Sequence, residues 1–485
     1  MNTAPQQSNE TAPQYAQVAV PVHLRKLFTY RLPPAMRAAA RVGSRVMVQL
    51  GPKPTAAYIV DLLPRLRAGT SLVESEIKDI QELLDVDPPL TAEVLELSRW
   101  VADYYSAPWG EVLRAALPAG INATVEQAIS ITQKGRELFQ SQTSAAADGS
   151  KKLRALSLLA DVGEFEVGAF ALRLGAARMP GWLRELENEG FVVRSYRTSS
   201  LQTRAKRRKA VRLLRPLSIE DERVSKAQLR LVETLSANES TMPVGDLTKV
   251  AAVSESVVRT LVKRGVLEEF DEEVRRDPLG TAELPAAEDL ELTSAQDEAR
   301  LKIETQIHAG NFKPMLLHGV TGSGKTEVYI RAMRAALAVD RGAMMLVPEI
   351  ALTPILSRRL RAHFGGEIAI FHSSLSKGER FDEWARLRSG EARVVLGTRS
   401  AVFAPVKKLG VIIVDEEQDA SYRQEESPFY HARDSAIVRA QKESAVVVLG
   451  SATPSLESFH NALAGKYEYL QLPERIANRP SREPR

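Results

Sequence analysis

The sequence predicts a multidomain α/β chain, with a small β-rich N-terminal module, then winged-helix modules, then one lobe built on a parallel sheet. Three observations predict it. Short apolar runs separated by Pro and Gly occupy residues 18–63. Two later segments each read as three helices, a glycine and a strand. After residue 290, near-continuous β-branched runs alternate with helices, as in a sheet covered on both faces.

The 485 residues suffice for roughly three or four domains. The net charge of +4 is mildly basic, compatible with nucleic acid without being diagnostic of it. Cysteine is absent, so disulfides and a thiolate zinc site are excluded. No apolar run approaches the length of about 18 residues that reads as a membrane span. Residues 1–16 are rich in Gln, Asn, Thr and Pro and lack the basic and apolar regions of a signal peptide. They read as a disordered tail, and the chain as cytoplasmic.

The first module is expected over 17–118. Its strands are Val18–Val20, Phe28–Tyr30, Arg45–Val48 and Ala57–Val60. Thr91–Tyr105 is helical, with Val94, Leu97 and Val101 on one face. The nearby Trp100, Tyr104 and Trp109 are core residues or base-stacking platforms. Gln140–Lys152 reads as a linker within a winged-helix region over 119–214. A second module of the same kind follows over 215–277. Winged helices bind DNA or dock proteins, and both readings stay open. The basic run Arg204–Lys209 is either a solvated cluster or a phosphate contact.

After a Pro/Ala/Gly-rich linker, Asp277–Asp289, the last lobe is expected over 278–485. Its strands are Met315–Leu317, Met344–Val347, Ile368–Phe371, Val394–Leu396, Val411–Val414 and Val446–Leu449. Ligands bind at the carboxyl ends of such strands. The first strand runs into Gly319, Val320, Thr321, Gly322, Ser323, Gly324, Lys325 and Thr326, which form G-x-x-x-x-G-K-[ST] before a helix. Glycines let backbone N–H groups converge on phosphates, and the helix N-terminus adds positive charge. Lys325 is placed for the β- and γ-phosphates of ATP, and the Thr326 hydroxyl for Mg²⁺.

Val411–Val414 ends in Asp415-Glu416-Glu417-Gln418. Asp415 is placed to hold Mg²⁺ and Glu416 to accept a proton from an attacking water. Upstream, the Gln296 amide can bond both a donor and an acceptor on adenine. Thr398 and Arg399, at another strand end, can bind a nucleic-acid backbone. Tyr422, Phe429 and Tyr430 can stack on bases beside Arg423 and Arg433.

Several motifs stand in order: Leu292-Thr293-x-x-Gln296, Gly319–Tyr329, Val347–Pro354, Gly397–Phe403, Asp415–Asp419 and Gly450–Ser455. On these the chain resembles the bacterial PriA family, the primosomal replication-restart DNA helicases of superfamily 2, from about Val18 onward. The resemblance implies a RecA-like lobe, ATP-dependent unwinding and recognition of stalled forks. It also implies reloading of the replication machinery. The implied partners are forked and single-stranded DNA, single-stranded-DNA-binding protein and other primosome proteins, with no membrane.

The resemblance further implies that the first module captures the 3′ end of a nascent strand, with Phe28, Gly51 and Lys78 in that pocket. Tyr422–Arg433 resembles the family's aromatic-rich loop, which couples single-stranded DNA to hydrolysis. Three departures stand out. Thr29 occupies a position where the family usually has Asp, which puts 3′-end capture in question. Gln418 replaces the usual His. Only 32 residues follow Thr453 (485 − 453), where the family continues with a zinc module and a second RecA-like lobe. The expectation is therefore the family's N-terminal portion, unable to unwind DNA by itself. The alternative is a non-enzymatic fork-binding primosome scaffold.

Overall fold

A computed structural model describes residues 13–66, 73–85, 87–118, 121, 125–143, 151–175, 181–198, 206–215, 217, 224–237, 241–274, 284–287 and 290–476. Strand β1 spans Tyr15–Ala19, β2 Leu27–Arg31, β3 Arg45–Leu50, β4 Lys53–Leu63 and β5 Glu82–Leu83. They form one sheet in the order β2-β1-β4-β3-β5. β1 starts earlier than the sequence suggests. Tyr15 and Ala16, assigned to the tail, pair with Arg31 and Tyr30 on β2 and are buried. Residues 1–12 of that tail lie outside the described residues.

The expected first winged helix has strands β6 (Val125–Ile131), β7 (Glu164–Glu166) and β8 (Val192–Thr198). They pair as β7-β6-β8 around helices Lys151–Val162, Val167–Arg173 and Gly181–Asn188. The linker expected at 140–152 is partly helical, since helix Gln133–Thr143 enters it and Lys151 starts the next helix. Its residues 144–150 lie outside the described ones.

The second module has β9 (Lys206–Leu213), β10 (Thr241–Pro243) and β11 (Leu267–Val274) in the order β10-β9-β11. Here the basic run acquires a partner. Basic β9 pairs antiparallel with acidic β11, and Lys209 lies 3.3 Å from Glu269 and 3.2 Å from Asp271. Arg212 meets Glu268 at 2.6 Å, and Arg208 meets Asp246 at 3.2 Å. β9 pairs only with β10 and β11 among the described strands, so it belongs to the second module rather than the first. Arg204 and Ala205 lie outside the described residues, as does most of the linker expected at 277–289.

The last lobe follows the expected pattern. Its strands are β12 (Lys313–Gly319), β13 (Gly342–Leu346), β14 (Ile368–Phe371), β15 (Val394–Gly397) and β16 (Leu409–Asp415). A short hairpin, β17 (Arg423–Gln424) and β18 (Tyr430–His431), precedes β19 (Val446–Ser451) and β20 (Glu468–Leu472). Seven strands make a sheet ordered β14-β15-β13-β16-β19-β12-β20, and every pair in it is parallel. The unexpected seventh strand, β20, covers the edge beside β12.

Both faces of this sheet are buried. On one, Met315, Leu317, Ile413 and Val448 pack under helices Ser294–Ala309, Lys325–Ala338 and Pro354–Phe364. On the other, Leu316, Ile412 and Leu449 share a core with Leu97, Val101 and Leu113 of helices Ala92–Tyr104 and Trp109–Ala116. Each such side chain contributes roughly 1.5–3 kcal/mol by burial. That exceeds the ~0–1 kcal/mol of an exposed ion pair, so apolar packing fixes the helix pair on the lobe. Trp109 belongs to that packing: its indole N–H donates to Ser98 Oγ at 3.0 Å. Among the described residues no helix is long and apolar enough to cross a membrane.

Arg45, 2% exposed, clamps the first module. Its guanidinium meets both oxygens of Asp85, at 2.9 and 2.6 Å, and donates to the Ile121 carbonyl. Arg45→Ala leaves Asp85 without its countercharge. It is expected to cost about 3–5 kcal/mol, seen as a lower denaturant midpoint for this module. An unchanged midpoint would show the clamp to be incidental.

Candidate functional site

The parallel sheet delivers three loops to one edge. β12 ends at Gly319, β19 at Ser451 and β16 at Asp415. β19 lies between the other two, and Gly450 is in register with both Leu317 and Asp415. The glycine loop follows β12, with Gly322 and Gly324 at φ +82° and +79°. Such left-handed backbone suits glycine and turns successive N–H groups to one side. Helix Lys325–Ala338 then begins, as the motif requires.

Lys325 is buried and reaches back across this loop. Its ammonium donates to the Gly319 carbonyl at 2.9 Å and lies 3.7 Å from Glu416 Oε1. Ser323 Oγ is buried without a hydrogen-bond partner. A cradle of backbone donors, a buried cation and an orphaned hydroxyl fit a polyphosphate with its metal. Thr326, half-buried on the first helical turn, and Asp415 are the residues able to hold that metal.

The Asp415 carboxylate accepts a hydrogen bond from the Tyr329 hydroxyl at 2.9 Å. Burial pushes its pKa up, opposed by that bond and by the Lys325 charge. Burial likewise raises the Tyr329 phenol well above its usual value, so it stays a donor. Glu416 adopts φ +47°, a conformation that costs a non-glycine residue about 1–3 kcal/mol and clusters at functional sites. Its Oε2 accepts from the Gln418 amide at 3.0 Å, and Gln418 Oε1 accepts from Ser451 Oγ at 2.6 Å. Gln418 thus joins the acidic loop to the end of β19, as a Gln in that place can.

Gln296 is positioned differently from the expectation. It is 2% exposed, its oxygen caps its own helix at Thr293 N and its amide donates to the Ser323 carbonyl at 2.8 Å. A Cβ on Gly324 would stand 2.3 Å from that amide nitrogen. Gln296 therefore braces the glycine loop from beneath, because the capping box holds it there. Both polar ends of its amide are engaged with the protein in this structure.

The expected nucleic-acid residues separate into two groups. Thr398 and Arg399 line a cavity of about 230 Å³ with Ser421, Gln424 and Tyr430. Arg399 donates to the carbonyls of Ser421 and Arg423, at 3.1 and 2.7 Å. Arg423 is exposed, as is Phe429 at 52%. Tyr422 and Tyr430, by contrast, are 0% and 5% exposed and offer no face for stacking. The Tyr422 hydroxyl donates to the carbonyls of Leu346 and Asp415, at 3.0 and 2.6 Å. Arg433 is held by Glu417 at 3.0 Å and Ser455 at 2.9 Å. These three side chains bind the loop to the lobe instead of reaching outward.

Glu417 was not singled out by sequence reasoning, because a third acid in a row reads as solvated. It is fully buried and accepts from Arg433, from Ser455 N at 2.7 Å and from Ser458 Oγ at 2.9 Å. It ties the acidic loop to the loop after β19. In the first module, Phe28 is half-buried on β2, with the Lys26 ammonium 5.8 Å from its ring. Gly51 sits at the exposed β3–β4 turn with φ +60°. Lys78 is exposed, and its carbonyl accepts from Arg31 N at 2.9 Å.

Comparison with known proteins agrees with this organisation. Residues 17–118 match the family model of the PriA 3′ DNA-binding domain, and residues 293–462 that of the DEAD/DEAH box helicases. The chain is 35% identical over 472 residues to the replication restart protein PriA of Bacillus subtilis, covering 96% of this chain and 56% of that protein. It is 34% identical over 465 residues to the PriA of Synechocystis, covering 94% and 54%. The PriA of Haemophilus influenzae is 32% identical over 468 residues, covering 95% and 52%. The chain therefore spans about half the length of the curated relatives it matches. Among solved structures, RecG bound to a three-way DNA junction covers 40% of this chain and 25% of that one, at 22% identity and a TM-score of 0.31. That likeness is too slight to bear on function. Two domain matches and an alignment running along nearly the whole sequence agree: the chain belongs to the PriA family of replication restart proteins.

Proposed function

We propose that this chain is the fork-recognising and ATP-binding part of a DNA helicase that acts in replication restart. The observation that carries the reading is the convergence of Lys325, Asp415 and Glu416 at the ends of β12 and β16, on either side of β19, with Lys325 3.7 Å from Glu416. A cation, a metal-binding carboxylate and a second carboxylate are the groups that phosphoryl transfer to water needs.

With ATP in the loop, Lys325 exchanges the Gly319 carbonyl for the β- and γ-phosphates. Its departure also removes the countercharge from Glu416, which then accepts the proton of the attacking water. Thr326 and Asp415 would hold Mg²⁺, which would supply charge neutralisation at the phosphates. Gln418 and Ser451 orient Glu416 through the chain of hydrogen bonds described above.

Thr398, Arg399, Arg423 and Phe429 form the proposed single-strand contact, through backbone phosphates and one exposed ring. Tyr422 gives this surface a route to the ATP site. It lies in the loop beside Arg423, and its hydroxyl holds the Asp415 carbonyl at 2.6 Å. A strand that displaces the loop also pulls on the residue that holds the metal. In the first module, Phe28, Gly51 and Lys78 are proposed to receive the 3′ end of a nascent strand. Single-stranded-DNA-binding protein and other primosome proteins are the proposed partners, and reloading of the replication machinery the proposed outcome.

Lys325→Ala is expected to weaken ATP binding about 100-fold or more. Charge-assisted bonds to two phosphates are worth roughly 1.5–3 kcal/mol each. Calorimetry with a folded variant measures this, and unchanged affinity would remove the assignment.

Forked DNA is expected to bind more tightly than plain duplex, with an affinity that falls steeply with salt as phosphate contacts release counterions. Equal affinity for the two in a titration would refute fork recognition. Thr29→Asp probes the 3′-end pocket. The added carboxylate is expected to raise the preference for an exposed 3′ hydroxyl end over a blocked one, and no gain would place end recognition elsewhere.

A further inference from the structure

Tyr329 has no part in the chemistry above, yet the structure makes special provision for it. It lies one turn after Lys325 on helix Lys325–Ala338 and is fully buried. Its hydroxyl donates to Asp415 Oδ1 at 2.9 Å. To get there the side chain must cross β19, which separates β12 from β16 in the sheet. It crosses at Gly450, the register partner of Asp415. A Cβ at that position would stand 1.7 Å from the Tyr329 hydroxyl oxygen. The backbone of Asp415 is held separately, by the Tyr422 hydroxyl on its carbonyl.

We propose that Tyr329 is a positioning residue that fixes the Asp415 side chain through Oδ1, leaving Oδ2 directed to the metal of the bound nucleotide. Gly450 is the space that permits it. The inference rests on the reading of Asp415 as a metal-holding residue. A neutral hydroxyl suits the task. It satisfies one carboxylate oxygen and fixes the rotamer, without bringing a positive charge that would compete with the cation. A buried tyrosine also needs a partner for its own hydroxyl. A purely structural bond of that kind would affect stability and leave metal dependence alone, and this separates the two roles.

The test is fluorescent-ADP binding to the full chain as Mg²⁺ is varied, with melting temperatures recorded alongside. Residues that orient a metal ligand are typically worth about 10–100-fold in metal affinity. Tyr329→Phe keeps the ring and loses the donor. It is expected to raise the half-saturating Mg²⁺ concentration about tenfold while nucleotide affinity in EDTA stays the same. Gly450→Ala reaches the same contact from the other strand and is expected to reproduce the shift. The double variant is expected to add nothing further, since both act on one bond. Asp415→Asn is the control for the underlying reading. If it leaves Mg²⁺ dependence intact, the assignment of Asp415 fails and this inference with it. If Asp415→Asn shifts the dependence and neither Tyr329→Phe nor Gly450→Ala does, the positioning role alone is overturned.

Discussion

A carboxylate at the end of a buried parallel strand must be satisfied by the protein around it, and the last lobe is arranged about that constraint. Leaving such a group unpaired costs several kcal/mol. Asp415 is served by Tyr329 from the helix after the glycine loop and, through its carbonyl, by Tyr422 from the loop beyond. Its neighbour Glu417 is served by Arg433, Ser455 and Ser458. The partners come from three connections, so these two acids draw together the segments that follow β12, β16 and β19. The same bonds that stabilise the strand end also make it responsive. A shift in any of these loops would change the setting of the acids at this strand end.

The first module is joined to this lobe through its helices. Leu97, Val101 and Leu113 share one apolar core with Phe403, Tyr430 and Leu449. Polar contacts decorate that seam. Tyr105 donates to Asp434 at 3.3 Å, and Glu111 accepts from Ser427 and lies 2.8 Å from His23. Asp434 and Ser427 both belong to the segment that carries Phe429. The helix pair thus packs against the segment proposed to meet single-stranded DNA, which puts the first module in direct contact with that segment.

Much of this was legible in the sequence because the signals are local. The spacing of Gly319, Gly324 and Lys325 and the run Val411–Val414 before Asp415 depend on neighbouring residues alone, and the structure follows them. What escaped is set by distant pairing. Tyr422 and Tyr430 read as stacking rings because they sit in a polar loop, but the loop folds down and buries both. The basic run of β9 read as either a solvated cluster or a phosphate contact because its acidic partners on β11 lie far along the chain. Gln296 read as a ligand for adenine, yet its amide donates to the carbonyl of Ser323, 27 residues along the chain. Tyr329 carried a faint signal, one helical turn from Lys325 on the motif itself. Nothing in sequence could reveal that Gly450 makes room for its hydroxyl.

The central claim is that Lys325, Asp415 and Glu416 form one nucleotide site whose acidic half is held in place by tyrosines. A crystal structure of this chain with Mg²⁺ and a non-hydrolysable ATP analogue tests it most directly. The account predicts the Lys325 ammonium on the β- and γ-phosphates instead of the Gly319 carbonyl. It also predicts the metal at Thr326 and Asp415, with the Tyr329 hydroxyl still on Asp415. Nucleotide bound elsewhere, or Lys325 still on Gly319 with Asp415 turned away from the metal, would contradict it.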